Sequence, residues 1–392
     1  MSMARRAIVV TRVSCPVDPV IASVALLLLL AGFIMVASAS TEVSARTYGN
    51  PFYLLIRHSA YVLMGAIAGA VVLMLPLRIW QKLDFPLLIL SFLLLIAVLV
   101  PGIGWEVNGA TRWISFGLFK FQGSELVKLF VVIYIAGYLV KRKLEVQENF
   151  LDFAKPLLLV GLLAALLIKQ PDFGAAVVLM SAVVGIIFLA GAPMRYLLPV
   201  LSFLAGAAVL VATMRPYRLA RFSSFTNPWQ DQFGDGYQLT QALIAFGRGE
   251  WFGLGLGNSI QKLFFLPEAH TDFLFSIIAE EMGVVGAAII ILLFACLVIR
   301  ALLIGRIAAN QGAEFHAYVA YGIALLLGVQ ATINLGVNLG LLPTKGLTLP
   351  LMSYGGNSLI VSCVLIAILL RIEYECRNEV VSTVSRSRKR GW

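Results

Sequence analysis

The chain has 392 residues, 60% of them hydrophobic and only 13% charged, with a mean hydropathy of +0.91. That balance excludes a soluble enzyme built around one large core and points to an integral membrane protein. The net charge of +10 must then be divided between two aqueous faces.

Apolar runs close to the ~20 residues that cross a bilayer recur about ten times, at 19–39, 53–76, 84–101, 124–140, 155–169, 174–192, 195–213, 272–302, 314–340 and 351–371. The expectation is an all-α integral membrane protein of about ten transmembrane helices, with both termini on one side. The positive-inside rule makes that side cytoplasmic, since eighteen of the 30 Lys and Arg then lie inside, among them Arg5, Arg6, Arg12, Lys141, Arg142 and Lys143. Residues 1–18 form a cytoplasmic segment, 19–371 the membrane domain, and 372–392 a basic cytoplasmic tail. The tail, ending SRSRKRGW, is read as an anchor near anionic lipid rather than a nucleic-acid patch.

The N-terminus imitates a secretory signal, with Ala37-Ser38-Ala39 as a cleavage-like stretch. Its apolar run exceeds the ~7–15 residues of a signal core, so it is read as the first span. Cys15 and Cys376 fall near the cytoplasmic ends and Cys296 and Cys363 within spans, so none is placed for an external disulfide or a zinc site. The chain shows no 20–50-residue repeat and no soluble domain.

Between spans three and four, NGATRWISFGLFKFQGSELVKL carries Arg112, Trp113, Lys120, Gln122, Ser124, Glu125 and Lys128 on the outer side. Glu125 and Lys128 stand at i, i+3, a spacing at which they either neutralise each other or present charge to a site. Between spans seven and eight, residues 214–271 make an outer loop far longer than a connection requires. It holds an amphipathic stretch, Tyr237 to Phe246, and the alternating glycines of GRGEWFGLGLG. Those glycines permit close approach of a ligand or of another backbone; as a phosphate loop the motif is weak, because no strand precedes it.

The segment LPEAHTDFLFSIIAEEMG, 266–283, closes the loop and opens span eight with Glu268, His270, Asp272, Glu280 and Glu281. Asp272 suits a helix N-cap or a site. At about 100° per residue Ser276 and Ala279 share its face, Glu280 lies some 80° around and Glu281 opposite. Both glutamates would sit roughly 12–14 Å deeper, and intramembrane carboxylates by default mark a pathway or a site. Before span ten, LLPTKGLTLPLMSYGGNS adds the helix breakers Pro343 and Pro350, the cation Lys345, and Gly355-Gly356, which either expose backbone or pack helices. Four polar outer segments converging on one face argue for a site that handles an anionic, membrane-bound substrate.

Taken in order, RWISFG, FQGSELVK, QPDFGAAV, NPW with GYQ, LPEAHTDFLFSIIAEE and PTKGLTLPLMSYGGNS resemble the SEDS family of peptidoglycan glycosyltransferases, from about residue 105 to 370. Asn334 followed by Gly340-Leu341-Leu342-Pro343 and by Ser353-Tyr354-Gly355-Gly356-Asn357-Ser358 is similar to the long family signature. Thr344-Lys345-Gly346-Leu347 is closer to the division branch of that family than to the elongation branch. Gly123 departs from the pattern, since relatives commonly carry proline there.

The resemblance implies polymerisation of lipid II, a disaccharide-peptide on undecaprenyl diphosphate, for septal wall synthesis at the bacterial inner membrane. It implies a single catalytic aspartate, carried over onto Asp272 as general base. Arg112, Lys128, Arg215, Lys262 and Lys345 are candidates to hold the leaving diphosphate, with a divalent cation as an alternative and no organic cofactor. Trp113, Glu125 and His270 join the substrate-binding set, and His270 is a possible base by residue type; Glu268 shapes the rim, and Glu280 and Glu281 order the helices beneath. The implied partners are a class B penicillin-binding protein of the FtsI type, other division proteins and membrane lipid, with no nucleic acid. Two rival classes fit a ten-span bundle with buried charge: a lipid II flippase and a non-catalytic division scaffold.

Overall fold

The structure is a computed structural model that describes residues 17–107, 110–116, 119–213, 225–234, 236–344 and 346–389. Its helices are α1 (Pro19–Tyr48), α2 (Tyr53–Met74), α3 (Leu77–Lys82), α4 (Asp84–Leu99), α5 (Gly123–Lys141), α6 (Lys143–Glu148), α7 (Phe150–Lys169), α8 (Phe173–Leu189), α9 (Met194–Thr213), α10 (Tyr237–Gly249), α11 (Leu274–Asn310), α12 (Glu314–Asn338) and α13 (Gly356–Lys389). Six of them, α1, α2, α5, α7, α11 and α12, are long and apolar enough to cross a membrane, and α4, α8 and part of α9 are shorter apolar helices. With α13 they correspond to the ten apolar runs of the sequence.

One element lies outside an all-helical description. A small antiparallel sheet is made of β1 (Gly104–Val107), β2 (Ala110–Phe116) and β3 (Phe119–Phe121) in that order, with Trp105 opposite Trp113 and Ile114 opposite Phe121. Hydropathy leaves it in the outer connection between spans three and four, because strands of three to seven residues are too short for a period-2 pattern to emerge. The sheet rests on α4 and α5.

The core is graded. α5 is buried over most of its length, from Gly123 to Leu139, so the first helix after the sheet is the central post of the bundle. α12 packs against α5, α8 and α11, while α2 leans on α13 and α1 at the periphery. Since α2 buries only Leu54, His58, Gly65 and Gly69, its remaining apolar surface belongs to lipid. Between α7, α8 and α9 lies an apolar cavity of about 780 Å³, lined in part by Gly161, Ala164, Ala176, Met180 and Leu201.

The end carrying the basic clusters is tied by ion pairs and by a His316–Glu375 hydrogen bond. Asp18 caps α1 by accepting from Ile21 N at 2.9 Å and receives Arg300 Nε of α11 at 3.1 Å. Lys143 reaches Glu314 at 2.5 Å, Asp152 receives Lys155 at 2.6 Å, and Glu375 of α13 receives His316 of α12 at 2.9 Å.

At the other end, α11 is interrupted. Gly283 takes φ +68° and ψ −169°, a conformation open essentially to glycine alone. The break frees backbone groups that the preceding loop then satisfies: Val284 N donates to Glu250 O at 2.9 Å and Leu254 N to Glu280 O at 3.0 Å. Gly253, at φ +79°, makes the approach possible, because a Cβ there would stand 2.2 Å from Glu281 O. The alternating glycines therefore bring backbone against backbone. Replacing Gly283 by alanine is expected to lower the thermal midpoint, because the residue would store ~1–3 kcal/mol of strain and its Cβ would meet Gly253 N at 2.5 Å. Gly161→Ala, which places no atom within 4 Å of the new carbon and lies inside α7, should hold or raise the midpoint; fluorescence-detected size-exclusion melting of both variants checks this.

Candidate functional site

Three amides on one face of α12, Gln330, Asn334 and Asn338, organise the outer end. The i+4 spacing stacks them along the helix, and each is buried: Gln330 5%, Asn334 2% and Asn338 0% exposed. Such groups demand partners in an apolar interior, and they find them on three different segments. Asn334 Nδ2 donates to Asp272 O at 2.8 Å and to Leu347 O at 2.6 Å. Asn338 Nδ2 donates to the same Asp272 carbonyl at 3.0 Å, while its Oδ1 accepts from Ser276 N at 3.1 Å and Ser276 Oγ at 2.7 Å. Gln330 Nε2 donates to Thr348 O at 3.0 Å and its Oε1 accepts from Lys128 Nζ at 2.6 Å.

Asp272 is thus gripped through its backbone carbonyl. It is half-buried, and α11 begins after it: the cap position is Phe273, with no side-chain cap bond. A Cβ on Gly346 would come within 3.1 Å of Asp272 Oδ2, so the carboxylate lies against the irregular 346–353 segment. That segment is in turn held by Gln330, Asn334, a Thr348–Ser358 hydroxyl contact at 2.9 Å and a bond from Leu349 N to Ser353 Oγ at 2.9 Å.

Glu125 and Lys128 form a buried pair at 2.9 Å beneath this segment. Together with Gln330 and Ser362 they line a void of about 10 Å³, near the lower limit for a single water. Arg112 extends from β2 to the turn between α7 and α8, where Nε donates to Gln170 O at 3.4 Å and a terminal nitrogen to Pro171 O. Asp172 caps α8, accepting from Ala175 N at 3.3 Å, and also receives Ser124 Oγ at 3.3 Å and Gln122 Nε2 at 3.4 Å. Trp113 is half-buried on the same strand as Arg112.

Glu280 and Glu281, fully buried, face the long loop. Glu280 accepts from Ile260 N and Gln261 N, both at 3.2 Å, and from Ser259 Oγ, and pairs with Arg248 at 3.3 Å. Glu281 pairs with Lys262 at 2.9 Å and accepts from Ser38 Oγ of α1 at 2.7 Å. Lys262, 7% exposed, also donates to Gly257 O at 2.7 Å and Ser38 Oγ at 2.9 Å. The structure places Lys262 in the fastening of the loop to α11 and α1.

His270 sits two residues before Asp272, with its Nδ1 buried and unbonded among the described residues. Burial pushes its imidazole below the usual value, opposed by the charge of Glu268. Tyr354 N donates to His270 O at 3.0 Å, and the Tyr354 ring lies between two imidazoles, 5.5 Å from His270 and 5.9 Å from the fully buried His58 of α2. Glu268, exposed, receives Thr271 Oγ1 at 2.8 Å. Arg215 and Lys345 lie outside the described residues. Among those described, no group of three His, Cys, Asp or Glu side chains is arranged to hold a metal ion.

Sequence reasoning named Asn334 only as part of a motif and missed Gln330, Asn338, His58 and Arg57. The first two were accessible: amides at 330, 334 and 338 in an apolar span repeat every four residues, a stripe that a membrane helix carries only when those side chains have partners.

The model of the FtsW/RodA/SpoVE family, described as cell cycle proteins, matches residues 19–378, and the chain belongs to that family. Among its relatives is a protein of Hahella chejuensis named "Probable peptidoglycan glycosyltransferase FtsW", 56% identical over 351 residues, which cover 90% of this chain and 88% of the relative. A protein of the same name from Pseudomonas fluorescens is 53% identical over 358 residues, 91% of this chain and 88% of that one. Among solved structures, a chain from work titled "Structural coordination of polymerization and crosslinking by a peptidoglycan synthase complex" superposes with a TM-score of 0.74 at 29% identity, covering 92% of this chain and 98% of its own. The rod-shape-determining protein RodA of Thermus thermophilus gives 0.67 at 29% identity, covering 91% and 96%.

Two outcomes follow from the site geometry. Removing either member of the Glu125–Lys128 pair leaves a buried charge, so each single alanine variant should lose roughly 3–5 kcal/mol, and the double variant should regain part of that loss in thermal melting. His270 supplies the second. Its folded-state pKa lies below its ordinary value of 6.5, so its contribution to stability is complete above that pH and is lost as pH falls below it. Melting at pH 7.5 and 5.5 should show a larger acid loss in the natural protein than in His270→Gln.

Proposed function

We propose that the chain is a peptidoglycan glycosyltransferase that polymerises lipid II, with Asp272 as the general base. The observation that carries this reading is the placement of Asp272: a carboxylate at the outer end of a membrane bundle, fixed through its own backbone carbonyl by two buried amides. A base must be held within hydrogen-bond reach of the proton it takes, and rigid elements do that better than free loops. The names borne by relatives at about half identity support the same activity.

In the proposed reaction a hydroxyl of the acceptor's N-acetylglucosamine passes its proton to the Asp272 carboxylate and forms a bond to the anomeric carbon of the donor's N-acetylmuramic acid. The bond from that carbon to the donor's diphosphate breaks, and the electron pair leaves with the phosphate oxygen. Diphosphate is a good leaving group, so one carboxylate suffices where an ordinary glycosidic bond would call for two. Charge developing on the leaving oxygen calls for cations. Arg112 is the cation that stands ready at this end on backbone carbonyls, with Arg215 and Lys345 proposed beside it, or a divalent ion in their place. Lys128 and Lys262 each have a buried carboxylate partner, so their proposed role is to hold the walls. No organic cofactor enters the scheme.

The protein is proposed to act in the bacterial inner membrane at the division septum, with a class B penicillin-binding protein of the FtsI type supplying crosslinking. The fold neighbour from a peptidoglycan synthase complex supports such a partner. In detergent, without sealed vesicles, the purified chain with its partner should convert fluorescent lipid II into glycan polymer. A flippase, which needs two compartments, and a scaffold would give none. Asp272→Asn should lower the polymerisation rate by roughly 10²–10⁴ while insertion and partner binding persist; near-normal rates in that variant would remove Asp272 as the base.

A further inference from the structure

Polymerising lipid-linked sugars places two diphosphates at one rim: one departs from the donor, and the other remains on the acceptor and carries the product. Two such anions repel each other and call for cations on separate walls. Most cations that the structure places at this end are already neutralised, Lys128 by Glu125, Lys262 by Glu281 and Arg248 by Glu280. Arg112 is oriented by two carbonyl oxygens on the side of the sheet and the α7–α8 turn.

Arg57, in the second turn of α2, is different. It is half-buried, and among the described residues no carboxylate lies within ion-pair distance of it. A terminal nitrogen donates to Tyr61 Oη at 3.1 Å, and the guanidinium lies 5.8 Å from the centre of the Tyr53 ring. Neither contact neutralises it, and most of its five N–H donors are left for another acceptor.

Its position follows a second route to the proposed base. Tyr61 meets Tyr354 edge-on at 6.2 Å, Tyr354 lies 5.5 Å from His270, and His270 precedes Asp272 by two residues. Arg112 reaches the same centre from another side, through the turn before α8, whose Gly174 would set a Cβ 2.9 Å from the Leu347 side chain. Leu347 shares Asn334 with Asp272. Two cations on different elements thus connect to Asp272 by separate paths, one through α2 and Tyr354, the other through the sheet, the start of α8 and Leu347.

We infer that Arg57 binds the diphosphate of the second lipid-linked substrate, the one that Arg112 does not hold. This rests on the polymerase reading. The guanidinium suits the task because its planar fork meets two phosphate oxygens at once. The tilted ring contacts of Tyr354 with His58 and His270 support the wall on which it stands.

The test counts bound undecaprenyl diphosphate by native mass spectrometry on the purified full chain, with lipid II polymerisation measured in parallel. The natural protein should bind two molecules at saturation and Arg57→Met one. That variant should keep its melting temperature and raise the KM for lipid II by about tenfold or more, the effect expected for a charged hydrogen bond, with a smaller change in kcat. Arg57→Lys should restore part of the second occupancy. Two bound molecules and an unchanged KM in Arg57→Met would overturn the inference, as would a single molecule on the natural protein. So would a fall in melting temperature shared equally by the methionine and lysine variants, which would make Arg57 a packing residue. If the natural protein makes no polymer, the polymerase reading itself fails; if it does and Arg57→Met behaves like it, only the role of Arg57 is lost.

Discussion

The backbone carbonyl of Asp272 accepts from both Asn334 and Asn338, and the arrangement of the outer end depends on that double bond. Amides buried in an apolar helix cannot be left unbonded without a cost of order 1–3 kcal/mol each. The stripe on α12 therefore forces three segments distant in sequence to meet it: the start of α11, the irregular run after Pro343, and α5 through Lys128. The requirement to satisfy those amides and the requirement to hold a base still are met by the same bonds. What looks like irregular backbone at membrane depth is tolerated because protein covers it and bonds it.

A second constraint supports the first from outside. The break at Gly283 divides α11 into a short outer piece bearing the two buried glutamates and a long apolar piece. The glycine-rich loop fills the gap with backbone bonds, while Glu280 and Glu281 collect N–H, hydroxyl and cationic partners from residues 248–262 and from Ser38. These carboxylates are costly in a bilayer, but each is used to close the loop over the helix that begins just after Asp272. Their chemistry is structural in this geometry, which separates them from Asp272 although all three lie within ten residues.

Much of this was legible beforehand. Ten apolar runs located the helices, and the positive-inside bias matched the end where Asp18–Arg300 and Lys143–Glu314 pair. The i, i+3 spacing of Glu125 and Lys128 allowed the pair that the structure shows. The small sheet was hidden in the outer connection between spans three and four, since its strands are too short for a period to emerge. Helical geometry set Glu280 and Glu281 deeper than Asp272 as residues that order the helices, and the partners that hold them, Arg248, Ser259, Lys262 and Ser38, come from the loop and α1. Lys262 read as a free outer cation because its partner, Glu281, is nineteen positions away, beyond any local spacing rule. His58 gave no local signal either, as its ring neighbours, Phe33 and Tyr354, come from α1 and the loop before α13.

The amide grip lets a residue ahead of the helix act with the precision of a helix residue. The most direct measurement is the kcat of lipid II polymerisation for Asn334→Ala and Asn338→Ala, with Asp272 intact and the variants shown to be folded and partner-bound. A base displaced by about an ångström loses on the order of 10²-fold in rate, so kcat should fall by about 10- to 100-fold in each while KM changes little. Unchanged kcat in folded Asn334→Ala and Asn338→Ala would show that Asp272 needs no such grip, and the central claim would be wrong.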